Sequence, residues 1–302
     1  MIKGIERERI LEIWNKFYKF DPTSLFQLER KYFQNPHVVP IGEQVNEGAF
    51  SLLCKRRGEP REENSGKEAW VICAGFTDRI EFIKLLKKQI EYARDMGIER
   101  IYYSNFSPGY FFPGIDKEKY PELYDLLTEL GFSLDSEALA MEADIGEIHY
   151  TQKEKNEAEI RNLKIEETEE LLKMVRSNFP YDCYLRVEGV IKHGSLDQIS
   201  IAKLDDRIVG YSMYASGEGP FEFSPGERFG CFEVLEAYRS MGIGGRLLTS
   251  TLINMKANGI RHAYFLWTSE KASHLYSRYG FKITRKFQIM SLSLLNHDNY
   301  KK

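Results

Sequence analysis

Apolar residues in the first half of the chain recur at helical spacing in some segments and form short continuous runs in others. A helical stripe opens the chain, made of Ile10, Ile13, Trp14 and Phe17, and the capping-box sequence at 24–27 predicts a second helix. The runs at 50–55 and 69–73 are strand candidates. A long amphipathic helix follows, marked by Phe82, Leu86, Ile90 and Ala93, and the run at 101–103 predicts another strand. A strand at 138–145 is expected to end this half.

The second half repeats this alternation. Thr168 is expected to cap a helix that carries Leu171, Leu172 and Val175, Pro180 ends it, and a short helix follows at 185–191. The segments 199–204 and 207–215 predict a hairpin around Asp205-Asp206. A strand is predicted at 229–235, then a helix marked by Ile243, Leu247, Leu248, Leu252 and Met255, and then a strand at 261–268. The last helix places Ala272, Leu275, Tyr276 and Tyr279 on one face and stops at Gly280.

The two halves also resemble each other residue by residue. Segment 95–103 can be laid on 257–265 with Gly97 on Gly259, an offset of 162 residues, and 126–132 on 275–281 at an offset of 149. An insertion around 106–120 accounts for the difference, and an internal duplication of about 150 residues is the simplest explanation. The polar stretch 146–162 is expected to be a linker or a solvated crossover, so the predicted domains are 1–148 and 149–302.

Composition limits the class of protein. The 302 residues include 42 basic and 45 acidic side chains, a formal charge of −3, which favours neither nucleic acid nor an anionic membrane as partner. No apolar run reaches the length of a membrane span, and the first residues lack a signal-peptide core. The four cysteines include no Cys-x-x-Cys pair and predict neither a metal site nor a disulfide framework. We therefore expect a cytoplasmic protein with buried thiols and no metal.

The segment 239–245 joins a predicted strand to a predicted helix and has the composition of an anion-binding turn. The first N–H groups of a helix lack intrahelical acceptors and lie at the positive end of its dipole. Gly242, Gly244 and Gly245 carry no Cβ that would keep a diphosphate away, and Arg239 and Arg246 add positive charge. A dinucleotide-binding loop would need glycine where Leu247 stands, and the Gly-Lys-Ser/Thr of a P-loop is absent from the sequence.

Two motifs resemble those of the GNAT superfamily of acyl-CoA N-acyltransferases. The pattern Arg-x-x-Gly-x-Gly at 239–244 resembles its acyl-CoA signature, and Ala-x-x-Leu-Tyr-x-x-x-Gly-Phe at 272–281 resembles its second motif. They occur in the family's order, separated by one helix and one strand. The resemblance implies an α/β (α+β) fold of two tandem GNAT-like domains, each with a mixed, mostly antiparallel central sheet flanked by helices.

The first copy lacks the residues that carry this chemistry. Where a phosphate turn is expected, residues 76–80 read Phe-Thr-Asp-Arg-Ile, and Asp78 would repel a diphosphate. Leu127 stands where the second copy has Tyr276. We therefore expect a degenerate N-terminal copy. The aromatic insertion at 106–115 is either a functional loop or a set of side chains that closes the interface between the two halves.

The resemblance implies acetyl-CoA as co-substrate and assigns roles to residues of the second copy. Backbone groups of Val234 and Leu235 would bind the pantetheine arm and polarise the thioester, and Tyr276 would protonate the departing thiolate. The diphosphate would be bound by the turn residues Arg239, Ser240, Met241, Gly242, Ile243, Gly244, Gly245 and Arg246, with a further contact from Ser269, where the family often has Asn. The general base is left open among Glu222, Glu227 and Glu233.

The expected activity is therefore N-acetyl transfer from acetyl-CoA to a small-molecule or peptide amine by direct attack. Transfer of a larger acyl or aminoacyl group is the alternative within enzymes, and a non-catalytic acyl-CoA sensor or scaffold is the alternative outside them. The sequence does not choose the acceptor or the oligomeric state, because fold alone does not determine either.

Overall fold

Packing divides the chain into two compact units. In the computed structural model, the described residues are 4–57, 67–107, 109–146, 157–215 and 229–295. The first unit comprises residues 1–138 and 286–302, and the second comprises residues 139–285. The predicted boundary between 148 and 149 lies outside the described residues.

The helices and strands alternate in an order that recurs along the chain. The first part contains α1 (Gly4–Phe17), α2 (Leu25–Leu28) with a π-helical turn (Glu29–Phe33), β1 (Val38–Val45), β2 (Ala49–Arg56), β3 (Glu68–Phe76), α3 (Arg79–Asp95), β4 (Arg100–Tyr103), α4 (Pro121–Glu129) and β5 (Ser133–Asp144). The second contains β6 (Glu159–Asn162), α5 (Thr168–Asn178), α6 (Tyr181–Lys192), β7 (Ile199–Leu204), β8 (Arg207–Tyr214), β9 (Phe229–Val234), α7 (Ile243–Ala257), β10 (His262–Thr268), α8 (Glu270–Ser277) and β11 (Lys282–Ser293). Except for β6, the second series repeats the first.

The sheet of the first unit includes a strand from the far end of the chain. Its order is β1-β2-β3-β4-β11, in which only β3 and β4 are parallel. β11 pairs with β4 in the register Met290 to Tyr103. The chain therefore leaves the first unit within β5 and returns to it within β11. The predicted second domain contained residues 286–302, whereas packing groups them with the first unit.

Aromatic side chains fill the core of the first unit. The Trp14 ring lies 4.7 Å from that of Tyr18 and 4.8 Å from that of Phe111. Phe106 is fully buried, and Ile115 pairs with Gln288 through an isolated bridge. The described aromatics of the 106–115 insertion thus pack in the core of the first unit.

The second unit contains an antiparallel sheet in the order β6-β7-β8-β9 and the antiparallel pair β5 and β10. One face packs on α5 and α6 through a core that includes Val175, Val187 and Tyr211. The other face packs on α7 through Val209, Val234 and Leu247. β9 is the last strand of its sheet, so one of its edges adjoins β8 and the other does not.

The structure differs from the sequence predictions in four places. β1 was not predicted, and Pro40 and Gly42 interrupt its alternation where the register shifts. Thr168 is the first residue of α5 rather than its cap, since its hydroxyl donates to the Ile165 carbonyl. β6 lies in the segment interpreted as linker, and β11 was not predicted. The positive φ angles of Asp205 and Asp206, 49° and 60°, confirm the predicted hairpin turn.

Candidate active site

The glycine turn between β9 and α7 has the backbone conformation of an anion-binding nest. Ser240 and Gly242 have positive φ angles of 64° and 77°. Gly242 is the N-cap residue of α7. Because glycine has no side chain, the first turn of that helix has no side-chain cap. Alternation of left-handed and right-handed residues directs successive N–H groups into one concavity. The turn therefore directs amide groups and the helix dipole toward one point.

Gly244 lies where the start of α7 approaches the sheet closely. A Cβ at this position would lie 3.3 Å from Cζ of Phe232 and 4.0 Å from Cγ2 of Val234. A larger side chain would displace Phe232 or project into the concavity. Glycine avoids this tight contact with the Phe232 ring, and no positive φ angle is involved.

The two arginines of the turn are oriented by backbone carbonyls. Arg239 donates from Nε to the Val234 carbonyl at 3.0 Å, and its Nη2 lies 3.8 Å from Oε2 of Glu233. Arg246 donates from Nη1 to the carbonyl of Ala158 at 2.8 Å. Arg239 thus places its charge where the strand meets the turn, while the Arg246 head group reaches the segment before β6.

The two edges of β9 differ in whether their backbone N–H and C=O groups pair with another strand. The Leu235 N–H donates to the Val209 carbonyl at 2.9 Å, so it belongs to the pairing with β8. Because backbone groups alternate along a strand, those of Val234 point to the opposite edge. Among the described residues, β9 has no ladder partner on that edge, since β10 pairs with β5. Of the two residues predicted to bind pantetheine, Val234 is the one with outward backbone groups.

Tyr276 lies on α8 inside an aromatic cluster. Its ring is 4.8 Å from that of Phe265 and 5.8 Å from that of Phe229, and the residue is 7% exposed. Burial raises the pKa of the Tyr276 hydroxyl well above its usual value, and the nearby Glu233 raises it further. The phenol is therefore a weaker acid than the sequence argument assumed. It stays protonated and can donate a hydrogen bond to a thiolate.

Ser269 caps α8. Its hydroxyl accepts a hydrogen bond from the Ala272 N–H at 3.2 Å, and its backbone is extended, as helix caps require. This role explains a serine at this position without any ligand.

Glu233 is a carboxylate that sequence reasoning did not single out. Of the candidate bases, Glu222 and Glu227 lie outside the described residues, whereas Glu233 is opposite Tyr211 in the β8–β9 pair and 31% exposed. Burial raises the pKa of this carboxyl, Asp182 raises it further, and Arg239 opposes them. A carboxylate with a raised pKa next to the turn is suited to accept a proton. Only the strand register identifies it.

Residues 195–283 match the sequence model of a family described as the acetyltransferase (GNAT) domain. This stretch contains β9, the glycine turn, α7, β10 and Tyr276. This part of the chain is therefore similar to a GNAT acetyltransferase domain. No curated protein sequence is similar enough to count as a match.

Solved GNAT structures are similar over nearly the whole chain. The GCN5-related glucosamine N-acetyltransferase region of a fungal multi-domain β-N-acetylglucosaminidase gives a TM-score of 0.80 at 15% identity, covering 97% of this chain and 37% of that one. A GCN5-related N-acetyltransferase from Sphaerobacter thermophilus gives 0.70 at 13% identity, covering 98% and 95%. A tandem GNAT protein from the clavulanic acid biosynthesis pathway gives 0.65 at 11% identity, covering 98% and 97%. At these identities the likeness shows the fold, and the predicted fold class of two tandem GNAT copies is confirmed.

Within the described ranges, no group of three His, Cys, Asp or Glu side chains is placed to hold a metal ion. In the same part of the chain, no helix is both long and apolar enough to cross a bilayer.

The first GNAT copy has a different helix start. Asp78 precedes α3, and its Oδ1 accepts hydrogen bonds from the N–H groups of Ile80 at 2.9 Å and Glu81 at 3.1 Å. The N–H groups of Thr77 and Asp78 donate to the Gly48 carbonyl at 2.8 and 3.0 Å. Leu127, which stands at the position of Tyr276, is fully buried. The turn of this copy is therefore occupied by the chain itself.

Proposed function

We propose that the second copy transfers an acetyl group from acetyl-CoA to a primary amine. The observation that carries the proposal is the helix start at Gly242 and Gly244, where the cap has no side chain and a Cβ on Gly244 would lie 3.3 Å from Cζ of Phe232. The residues fit a diphosphate because amide groups, a helix dipole and Arg239 converge there. The outward edge of β9 fits an extended pantetheine arm, which hydrogen-bonds like an added strand. The turn residues 239–246 are the proposed diphosphate site, with Ser269 as a peripheral contact.

In the proposed reaction, the amine nitrogen attacks the thioester carbonyl, a C–N bond forms and the C–S bond breaks. Val234 donates its outward N–H to the carbonyl oxygen, where negative charge develops. Glu233 accepts the proton that the ammonium loses, directly or through water. Tyr276 donates a hydrogen bond to the leaving sulfur, and the thiolate takes up the second proton that the nitrogen sheds as the amide forms, so that CoA leaves as the free thiol. Because burial raises the pKa of Glu233, activity should increase with pH through that raised value.

The amine is the least defined part of the proposal. The fungal region that shares this fold is described as a glucosamine N-acetyltransferase. An amino sugar is therefore the first acceptor to test, beside a polyamine and a peptide with a free amino terminus.

The test is an assay of CoA release and of product mass with acetyl-CoA and glucosamine, spermidine or such a peptide. We expect acetylation of at least one amine by the wild-type protein and none by Gly244→Glu. Saturable acetyl-CoA binding without transfer to any amine would contradict the enzyme assignment and support the acyl-CoA sensor instead. Faster transfer from a longer acyl-CoA would replace acetyl as the natural group.

A further inference from the structure

Tyr211 carries a fully buried hydroxyl in the middle of β8. The residue is fully buried in β8, directly opposite Glu233, with its ring 6.3 Å from that of Phe179. Among the described residues, the hydroxyl has no hydrogen-bond partner. Buried polar groups in proteins are nearly always paired, so one without a partner calls for a functional explanation.

Tyr214, on the same strand, is a buried tyrosine with a structural role and serves as the comparison. It is also fully buried, but its hydroxyl accepts a hydrogen bond from Nδ2 of Asn258 at 2.8 Å. The two tyrosines therefore share strand, burial and side chain, and differ in whether the hydroxyl is satisfied by the protein.

The surroundings of Tyr211 determine which chemical group suits its hydroxyl. Four neighbouring groups interact electrostatically with this hydroxyl, and each of them is neutral or negatively charged: Cys231, Cys183, Glu233 and Asp182. Burial and these neighbours raise the pKa of the hydroxyl, so it remains neutral with its lone pairs available. Such surroundings repel carboxylates and phosphates and favour a cationic donor. Glu233 and Cys231 are partly exposed, so they border this hydroxyl on the solvent side.

We propose that the hydroxyl of Tyr211 accepts a hydrogen bond from the ammonium group of the acyl acceptor. Because Glu233 lies directly opposite Tyr211 in the β8–β9 pair, its carboxylate and the Tyr211 oxygen hold the nitrogen from two sides. Tyr211 is then a residue that selects and positions the acceptor. This inference rests on the proposed acetyl transfer and goes beyond it, because it assigns acceptor recognition to a residue of β8.

Tyr211→Phe and Tyr214→Phe test the inference as a matched pair. Without ligand, Tyr214→Phe should lower the melting temperature because it removes a formed hydrogen bond. Tyr211→Phe should leave it unchanged or raise it, since it removes an unpaired buried group. In the transfer assay, Tyr211→Phe should raise KM for the accepted amine about tenfold, the size of one hydrogen bond to a charged group. KM for acetyl-CoA should not change, and Tyr214→Phe should alter neither constant.

Three results would overturn the inference, and they are distinguishable. A Tyr211→Phe protein that melts as low as Tyr214→Phe would show that the hydroxyl has a structural partner. Unchanged stability with an unchanged KM for the amine would show that no acceptor reaches it. Wild-type protein that acetylates none of the three amines would overturn the proposed function itself, and this inference with it.

Discussion

Helices α3 and α7 both follow a strand, yet the amide groups at their starts have different partners. At α3, Asp78 supplies its own carboxylate to the N–H groups of Ile80 and Glu81. At α7, Gly242 supplies no side chain and turns the backbone with a φ of 77°. A helix start binds an anion in either case. One copy builds the anion into its sequence, and the other leaves the position for a ligand.

The strand carbonyls beside these two helices also differ in the source of their hydrogen-bond donors. In the first unit, the Ala74 carbonyl accepts hydrogen bonds from the hydroxyls of Tyr18 at 2.7 Å and Tyr103 at 3.2 Å. On β9, the outward Val234 carbonyl accepts from Arg239, a side chain of the turn itself. The first copy thus satisfies this strand carbonyl with core side chains, whereas the second copy satisfies it with an arginine of the glycine turn.

Truncation of the chain should have the largest effect, because it removes a strand from the first unit. It tests whether each copy is complete by itself. A fragment of residues 1–148 lacks β11 and the residue after it, and this segment contributes the buried side chains of Phe287, Met290 and Leu294 to the first unit. Each buried apolar side chain contributes about 1.5–3 kcal/mol, and three together approach the total stability of a small domain. We expect little cooperative unfolding by circular dichroism.

The matched control joins residues 1–138 to 286–295 through a flexible linker, which restores the strand. This chain should unfold cooperatively. Equal stability of the 1–148 fragment and the joined chain would show that the first copy does not need β11.

Tyr276→Phe should have the next largest effect. Loss of the proposed hydrogen bond to the leaving sulfur should lower kcat about 10- to 100-fold, with the acetyl-CoA Kd unchanged. Tyr103→Phe removes a buried hydroxyl from the first copy and should leave kcat unchanged. An unaltered kcat in the Tyr276 variant would remove this residue from the mechanism.

Asp78→Ala should have the smallest effect. Loss of a helix cap costs about 1–2 kcal/mol of unfolding free energy, measurable by urea denaturation. The exposed Asp125, inside α4, provides the control, since Asp125→Ala removes a carboxylate that caps nothing. Acetyl-CoA affinity should be the same in both variants. A weaker affinity in Asp78→Ala would place cofactor binding at the wrong helix.

Local patterns predicted most elements of this fold, because each depends on nearby residues. The glycine turn, the Asp205-Asp206 hairpin and the capping serine at 24 follow from backbone preferences of single residues. The pairing partner of β11 does not follow from such preferences. An apolar strand pattern indicates that a strand will pair, but not with which other strand. The predicted domain 149–302 included this segment, although no strand was predicted there.

The residues of the candidate site also divide into those that local sequence patterns reveal and those that only the folded structure brings together. Its glycines and Tyr276 are visible as motifs. The sequence leaves Glu233 as one of three candidate bases, and only the register of β8 and β9 places it opposite Tyr211. Side-chain partners such as Ala158 for Arg246 depend on the packed structure and have no local signal.

Acetyl-CoA binding at one helix start and not the other is the central claim, and thermal unfolding tests it directly. Gly244 and the exposed Ile80 are each the second residue of their helix, α7 and α3, so Gly244→Glu and Ile80→Glu place the same charge at equivalent points. Acetyl-CoA at 100 times its Kd should stabilise the wild type and Ile80→Glu by about 2.7 kcal/mol. Gly244→Glu, compared with its own unliganded form, should show no shift. A shift retained by Gly244→Glu, or lost in Ile80→Glu, would contradict the account.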